Sequence, residues 1–213
     1  MLKGGKNMQI NCIPSGALGV NTYYVRDENT NKGFIVDPGG FSPNMENLIK
    51  KDRCDVEYII LTHGHGDHIG GVKDYLSLFP NAKLVACIHE KELLANPRLN
   101  MSRDCCGVEI GLEADIWVND NDSLEIGNLK LKFLYTPGHT PGGMCILVEN
   151  VLFSGDTLFQ QSIGRTDFPG GSFPQIKNSI HTKLFILPED TMVYPGHMGS
   201  TNIGLEKRSN PFV

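Results

Sequence analysis

A dense group of metal-binding side-chain types, placed directly after a buried strand, constrains the fold of this sequence more than any other feature. Residues 58–61 form a continuously apolar run, which is typical of a strand covered on both faces. The motif Thr-His-Gly-His-Gly-Asp-His follows at once, over residues 62–68, and holds three of the chain's seven histidines. Its glycines relax the backbone, so one loop can turn several side chains toward a single point. The motif therefore predicts a metal site at a strand end.

Three later predicted strands end in the same way, with a glycine followed by a histidine or an aspartate. They place His139, Asp156 and His197 after the strands at 129–135, 151–153 and 192–194. Singly each signal is weak, because a turn histidine or aspartate is commonly a capping residue. Jointly the four strand ends offer five histidines and two aspartates, which are ligand types suited to zinc, iron or manganese. That number predicts two metal ions, each with three protein ligands, sharing a bridging carboxylate and a bridging water.

The remaining pattern predicts one α/β domain. Strands are expected at 8–13, 20–26, 33–37 and 84–87, a helix from Pro43, and a second helix at 72–78. A polar, irregular region follows at 96–122. Further on, a hairpin is expected from 144–148 and 151–153, and apolar residues recur at helical spacing over 176–187. Each half runs strands and then a helix, which is compatible with two sheets packed between flanking helices.

Composition excludes several classes of protein. With 24 acidic and 19 basic residues the net charge is −5, so no basic field favours nucleic acid or an anionic membrane. No apolar run approaches the roughly 20 residues that span a bilayer, and no apolar run follows the N-terminal lysines. We therefore expect a soluble, cytoplasmic protein with a small-molecule substrate. Its six cysteines lack C-x-x-C spacing and are expected to be reduced, with Cys105 and Cys106 in a polar stretch that favours exposure.

The ordered motifs T-H-x-H-x-D-H, T-P-G-H-T-P-G, G-D-T and a late G-H resemble the signature of the metallo-β-lactamase-fold hydrolases. Asp156, where the true β-lactamases have cysteine, is similar to the glyoxalase II side of that superfamily. The segments at 164–172 and 204–212 resemble short, single-domain bacterial glyoxalase II-like hydrolases. The resemblance covers essentially the whole chain. It implies one α/β domain over 1–213, folded as a four-layer αββα sandwich, without the C-terminal helical domain that binds glutathione in classical glyoxalase II.

The resemblance also assigns roles to individual residues. It implies a first metal held by His63, His65 and His139, a second held by Asp67, His68 and His197, and Asp156 as the bridge. Two further positions are suggested by the family pattern. Arg165 falls where the classical enzyme has a lysine that contacts glutathione, so it is predicted to bind substrate, unless it pairs with Asp167 instead. Asp37 resembles a buried aspartate near the metals and is expected to hold a ligand imidazole or to cap a turn.

The function implied is metal-dependent hydrolysis of a thioester, with zinc as the first choice of metal and iron or manganese as alternatives. In this reading Asp67 both binds the second ion and orients the nucleophile. One alternative is a persulfide dioxygenase with a single iron held by residues matching His63, His139 and Asp156. A lactone or other ester hydrolase and a non-enzymatic metal-binding module are the remaining alternatives. His89 and His181 lie in predicted helical stretches and are expected not to be ligands.

Overall fold

The computed structural model describes residues 7–213 and shows two six-stranded sheets packed face to face. In the first sheet the order is β1-β2-β3-β4-β5-β6, antiparallel from β1 to β3 and parallel from β3 to β6. Its strands are β1 (Met8–Ser15), β2 (Val20–Asp27), β3 (Lys32–Val36), β4 (Asp55–Ile60), β5 (Lys83–Cys87) and β6 (Ile116–Val118).

The second sheet has the order β14-β13-β10-β9-β8-β7 and contains one parallel pair, β10 with β13. Its strands are β7 (Ser123–Ile126), β8 (Leu129–Tyr135), β9 (Met144–Val148), β10 (Val151–Gly155), β13 (Met192–Pro195) and β14 (Thr201–Asn202). A separate hairpin is formed by β11 (Leu158–Phe159) and β12 (Ser162–Ile163). The predicted hairpin across residues 149–150 is confirmed as the antiparallel pair of β9 and β10.

Helices cover the outer face of each sheet. They are α1 (Pro43–Asp52), α2 (Gly66–Ile69), α3 (Val72–Leu78), α4 (Lys91–Ala95), α5 (Ser102–Cys106), α6 (Phe173–Ser179) and α7 (Ile203–Ser209), with a 3₁₀ turn at Ile88–Glu90 and a π-helical turn at Ile180–Leu184. Alternation along β4 shows how the layers are filled: Ile60 faces the core between the sheets, while Ile59 faces the core beneath the helices. A third apolar cluster joins the second sheet to α6 and the π-helical turn. The expected four-layer αββα sandwich is confirmed.

The region at 96–122, expected to be irregular, is ordered and contains α5 and β6. Buried Asn100 explains how so polar a segment packs, because its side chain donates to the Ile110 carbonyl and accepts from the Ser102 N–H. Its own carbonyl accepts from the Gly66 N–H at 2.6 Å, which fixes the segment against α2. β6 has only three residues and adds to the sheet edge beside β5, too short for a periodicity signal.

The β11–β12 hairpin is hydrogen-bonded to α7 and to the residues that follow this helix. Glu206 is fully buried on α7, and its carboxylate accepts from the Gln161 N–H and from the Thr201 hydroxyl. Asn210 donates to the Ser162 carbonyl at 3.0 Å. These bonds explain the 204–212 segment as a structural support.

All six cysteines are unpaired. Within residues 7–213 no helix has the length and apolar character needed to cross a bilayer.

Candidate metal centre

The sequence-predicted residues meet because four strands run in the same sense toward one edge of the sandwich. β10 and β13 are parallel, and β8 is antiparallel to β9, which is antiparallel to β10, so all three end on the same side. β4 of the first sheet ends beside them, since the Thr62 carbonyl accepts from the Met144 N–H at 2.9 Å. The loops after these strand ends therefore face one another across the gap between the sheets.

The first cluster consists of His63, His65 and His139, whose ligand atoms lie within 4.8 Å of one another. His65 Nδ1 is 2.9 Å from His139 Nε2. All three side chains are buried, with at most 5% of each residue exposed. The opposite nitrogen of His139, Nδ1, lies 2.7 Å from the Arg165 carbonyl, which fixes the ring so that Nε2 faces the cluster. Three converging nitrogens of this kind could hold a divalent ion.

The second cluster consists of Asp67, His68 and His197, again within 4.8 Å of one another. Asp67 and His68 are presented by the first turn of α2, which begins at Gly66. His197 Nε2 is 3.3 Å from Asp67 Oδ2, and His68 Nε2 is 3.8 Å from the same oxygen. This cluster is more open than the first, because a quarter of the His197 side chain is exposed.

Asp156 lies between the two clusters. Its Oδ1 is 3.3 Å from His68 Nε2, and its Oδ2 is 3.5 Å from His139 Nε2 and 3.7 Å from His197 Nε2. A Cβ at Gly196 would overlap both the Asp156 carboxylate and the His68 ring, so a glycine before His197 is required by close approach. Asp156 thus faces both clusters: Oδ1 lies near the second, and Oδ2 lies between His139 of the first and His197 of the second.

Asp37 supports this centre from beneath. Its Oδ2 lies 2.9 Å from His68 Nδ1 and accepts from the Thr62 hydroxyl, while Oδ1 accepts from the Thr62 N–H at 2.8 Å. Asp37 also adopts a left-handed backbone with φ of +48°, so it both turns the chain after β3 and orients the imidazole. Asp37, His63 and His68 lie close enough to suggest a third ion site. Because both Asp37 oxygens are already in use, we assign that carboxylate a supporting position.

Electrostatics differ between the clusters. Burial and the neighbouring histidines lower the pKa of His63 far below its ordinary value and that of His65 to about 3, which favours the neutral imidazoles that bind metal ions. In the second cluster, burial opposes ionisation of Asp67, but the charge of His68 and the bond from His197 outweigh it and lower the Asp67 pKa. Burial also opposes charge on His68, yet Asp156, Asp37 and Asp67 raise its pKa well above the ordinary value. The second cluster therefore favours a positive charge at its centre.

Buried polar atoms without partners test whether the residues fit metal ions. His63 Nε2, His68 Nε2 and Asp156 Oδ1 are buried and have no hydrogen-bond partner. Leaving such atoms unpaired is costly, and native proteins rarely do so. Each cluster contains one of these three atoms, and the third belongs to the carboxylate between the clusters. The set of ligand atoms therefore fits two cations.

A cavity of about 400 Å³ opens onto the centre. Outside the candidate ligands its wall is mainly apolar, formed by Leu18, Met101, Phe159, Ile163, Phe168 and Met198. Cys105 also lines it, half-buried. Arg165 lies at the wall with its guanidinium carbon 4.2 Å from the centre of the Phe168 ring. Its Nε and Nη2 atoms donate to the two oxygens of the exposed Asp167 carboxylate, at 2.9 and 2.7 Å, as the alternative prediction for this residue describes.

Three further residues complete the comparison with the sequence. His89 and His181 are exposed and lie outside both clusters, against Tyr135 and Phe185 respectively. Glu90 was not predicted: it is buried and joins the loop of His63 to the loop of His139. Its only sequence signal is an acidic residue soon after a buried strand, inside a run that looks like an ordinary amphipathic helix.

The fold and site together place the chain among metal-dependent hydrolases of the αββα class. The family model described as the metallo-β-lactamase superfamily matches residues 15–197, and the chain belongs to that superfamily. Among curated relatives, the hydroxyacylglutathione hydrolase GloC of Haemophilus influenzae is 35% identical over 212 residues, covering 97% of this chain and 98% of GloC. The chain is thus a member of a metallo-hydrolase superfamily with a His/Asp metal-binding cluster.

Solved structures give the same result. BLEG-1, described as a B3 metallo-β-lactamase, is 38% identical with a TM-score of 0.89, over 96% of this chain and 99% of its own. TTHA1623, solved in a di-iron-bound form, is 28% identical with a TM-score of 0.83, over 95% and 100%. ETHE1 from Myxococcus xanthus is 26% identical with a TM-score of 0.76, over 95% and 83%.

Proposed function

We propose that the protein is a dinuclear metal-dependent hydrolase that acts on thioesters. The observation that carries the proposal is that Asp156 lies between two ligand clusters. Each cluster contains a buried histidine nitrogen that makes no hydrogen bond. His68 Nε2, buried and 3.3 Å from Asp156 Oδ1, gives the second cluster a ligand atom of its own. Similarity to GloC supports a thioester as the substrate, and similarity to a di-iron structure supports two ions.

Two divalent ions, when bound, would supply Lewis-acid activation of a water molecule and of the thioester carbonyl. We propose zinc, with iron or manganese as alternatives, because imidazole and carboxylate donors suit all three. The chain's own contribution is to position the ions. Each cluster would hold one ion, and Asp156 would lie between the two. Asp67, which faces the cavity, orients the attacking water through its carboxylate. A thiolate leaves readily, so no strong protein acid is required.

Arg165 is our candidate for contact with an anionic part of the substrate. Its partner Asp167 is as exposed as Arg165 itself, with 66% of each side chain accessible, and exposed ion pairs contribute little stability. A substrate carboxylate can therefore replace Asp167 at the same guanidinium. Arg165→Ala is expected to raise KM for a glutathione thioester severalfold while kcat changes little.

The proposal is tested by metal analysis together with a substrate panel on the purified protein. We expect close to two metal ions per chain and faster hydrolysis of thioesters than of a lactone or a β-lactam. The β-lactam is included because of the likeness to BLEG-1. One tightly held ion, with no gain in activity on adding zinc, manganese or iron, would contradict a dinuclear centre.

Persulfide oxidation at a single iron is the second candidate, and the likeness to ETHE1 fits it. The ligands would then be His63, His139 and Asp156, a two-histidine, one-carboxylate set. Oxygen consumption with glutathione persulfide separates the two candidates. If the protein consumes oxygen stoichiometrically with persulfide and hydrolyses no thioester in the panel, the dioxygenase function is favoured and the hydrolase function is contradicted.

A further inference from the structure

Glu90 lies behind the first cluster, in the 3₁₀ turn that follows β5, with only 1% of the residue exposed. Its Oε2 accepts from the N–H of Gly64, the residue between His63 and His65. Its Oε1 accepts from the Gly142 N–H at 2.6 Å and from the Thr140 hydroxyl, also at 2.6 Å, in the loop that carries His139. One carboxylate thus bonds both loops that present the first cluster.

The surroundings of Glu90 contain no competing partner. Among the described residues no lysine, arginine or histidine forms an ion pair with it, and all three of its hydrogen-bond partners donate. A carboxylate is the side chain that only accepts, so it suits a position surrounded by donors. A Cβ at Gly142 would overlap Glu90 itself, which shows how closely the second loop packs on this residue.

We infer that Glu90 is a positioning residue that fixes the spacing of His63, His65 and His139, and thereby sets the affinity of the first cluster for its metal ion. The inference rests on the proposed function only in requiring that this cluster binds metal. Each bond acts on a loop one to three residues away from a ligand, so the loops are tied from the side opposite the ion. Partners that orient metal ligands change metal affinity by about 10- to 100-fold when removed.

The chain offers a matched control in Asp27, which is also 1% exposed. Its Oδ2 accepts from the Thr30 hydroxyl and the Asn128 N–H, both at 2.8 Å, and its Oδ1 accepts from the Asn29 N–H at 3.0 Å. The pattern of one hydroxyl and two backbone donors is the same as at Glu90. Asp27 ends β2, which runs opposite to β3, so it lies at the edge of the sheet away from the metal centre.

The test compares wild type, Glu90→Gln and Asp27→Asn, each stripped of metal and titrated with Zn²⁺ against a chromophoric chelator. The amide introduced at residue 90 or 27 places an N–H against a donor, so both variants are expected to unfold at lower temperature. Glu90→Gln should bind one of its two zinc ions about 10- to 100-fold more weakly, whereas Asp27→Asn should keep wild-type affinity for both. The visible spectrum of the Co²⁺-loaded protein should change in Glu90→Gln only.

Wild-type zinc affinity and an unchanged cobalt spectrum in Glu90→Gln would overturn the inference and leave Glu90 a structural residue like Asp27. Wild type that binds no zinc would instead overturn the proposed function. If Glu90→Gln does not fold, Thr140→Val removes one of the three bonds and leaves the carboxylate in place. That variant should bind zinc severalfold more weakly, and unchanged affinity would again contradict the inference.

Discussion

The two edges of the sandwich satisfy the same physical rule in different ways. At the edge away from the metal centre, both oxygens of buried Asp27 are occupied by donors from the chain. At the other edge, His63, His68 and Asp156 each keep a buried atom that makes no hydrogen bond. Buried polar atoms normally require partners, so the first edge is completed by folding and the second would be completed by cations. Substitutions at the first edge should therefore change stability, and substitutions at the second should change metal content.

The largest effect is expected from removing a candidate ligand. His139→Ala and Asp156→Ala each delete a donor that the cluster geometry requires, so turnover should fall to background and metal content should drop. Elemental analysis and a thioester assay on the same preparation measure both. Two metal ions retained in Asp156→Ala would show that this carboxylate is not the bridge.

A smaller loss is expected from Asp67→Asn, which keeps the shape of the side chain but removes its charge. The amide nitrogen is a poor ligand, so the second ion should be lost and kcat should fall by at least roughly 100-fold, comparable to losing one preorganised catalytic contact. KM should change less, because the loss falls on the transition state. An unchanged kcat in Asp67→Asn would show that the charge of Asp67 is not needed for catalysis.

Asp27→Asn tests the other edge. Burial raises the pKa of Asp27, but the bonds from Asn128, Asn29 and Thr30 outweigh burial and hold that pKa below its ordinary value. A carboxyl whose pKa is lowered by folding stabilises the protein above its unfolded pKa of about 3.9, and that stabilisation is lost as the pH falls through the folded pKa. We expect metal-free Asp27→Asn to be less stable by about 1–3 kcal/mol at pH 7.

Urea unfolding of metal-free wild type and Asp27→Asn at pH 7 and pH 3 measures this difference. The difference in stability between the two proteins should narrow at pH 3, because Asp27 of the unfolded wild type takes up a proton below its pKa of about 3.9. A gap that stays constant would mean that charge at Asp27 contributes nothing. Thioester turnover of the zinc-loaded variant should remain at the wild-type level.

The smallest effects are expected for His89→Ala and His181→Ala. Both side chains are exposed and contribute to neither cluster, so metal content and turnover should stay at the wild-type level. Loss of metal in His89→Ala would show that the ligand set is incomplete. These variants also show how much metal content and turnover vary when no candidate ligand is changed.

The sequence predicted the convergence at the site because each strand end carries its own local signal, a glycine followed by His139, Asp156 or His197. It did not predict β6 or α5, since three to five residues are too few for periodicity to appear. It also missed Glu90. That residue acts on Gly64 and Gly142, which are distant in the chain, and nothing in the run around Glu90 records those partners.

The hairpin of β11 and β12 contains no candidate ligand, yet it contributes Phe159 and Ile163 to the cavity wall, with the Phe159 ring 6.1 Å from that of His197. Its support comes from Glu206 and Asn210 on the C-terminal segment, together with a bond from the Ser154 hydroxyl of β10 to the Leu158 carbonyl. The candidate ligands and this part of the cavity wall thus lie on separate stretches of polypeptide. Exchanging Phe159 for a residue with a small side chain would enlarge the cavity beside His197 and leave every candidate ligand in place. Such separation gives an evolving lineage freedom to diversify its substrates while retaining one catalytic apparatus.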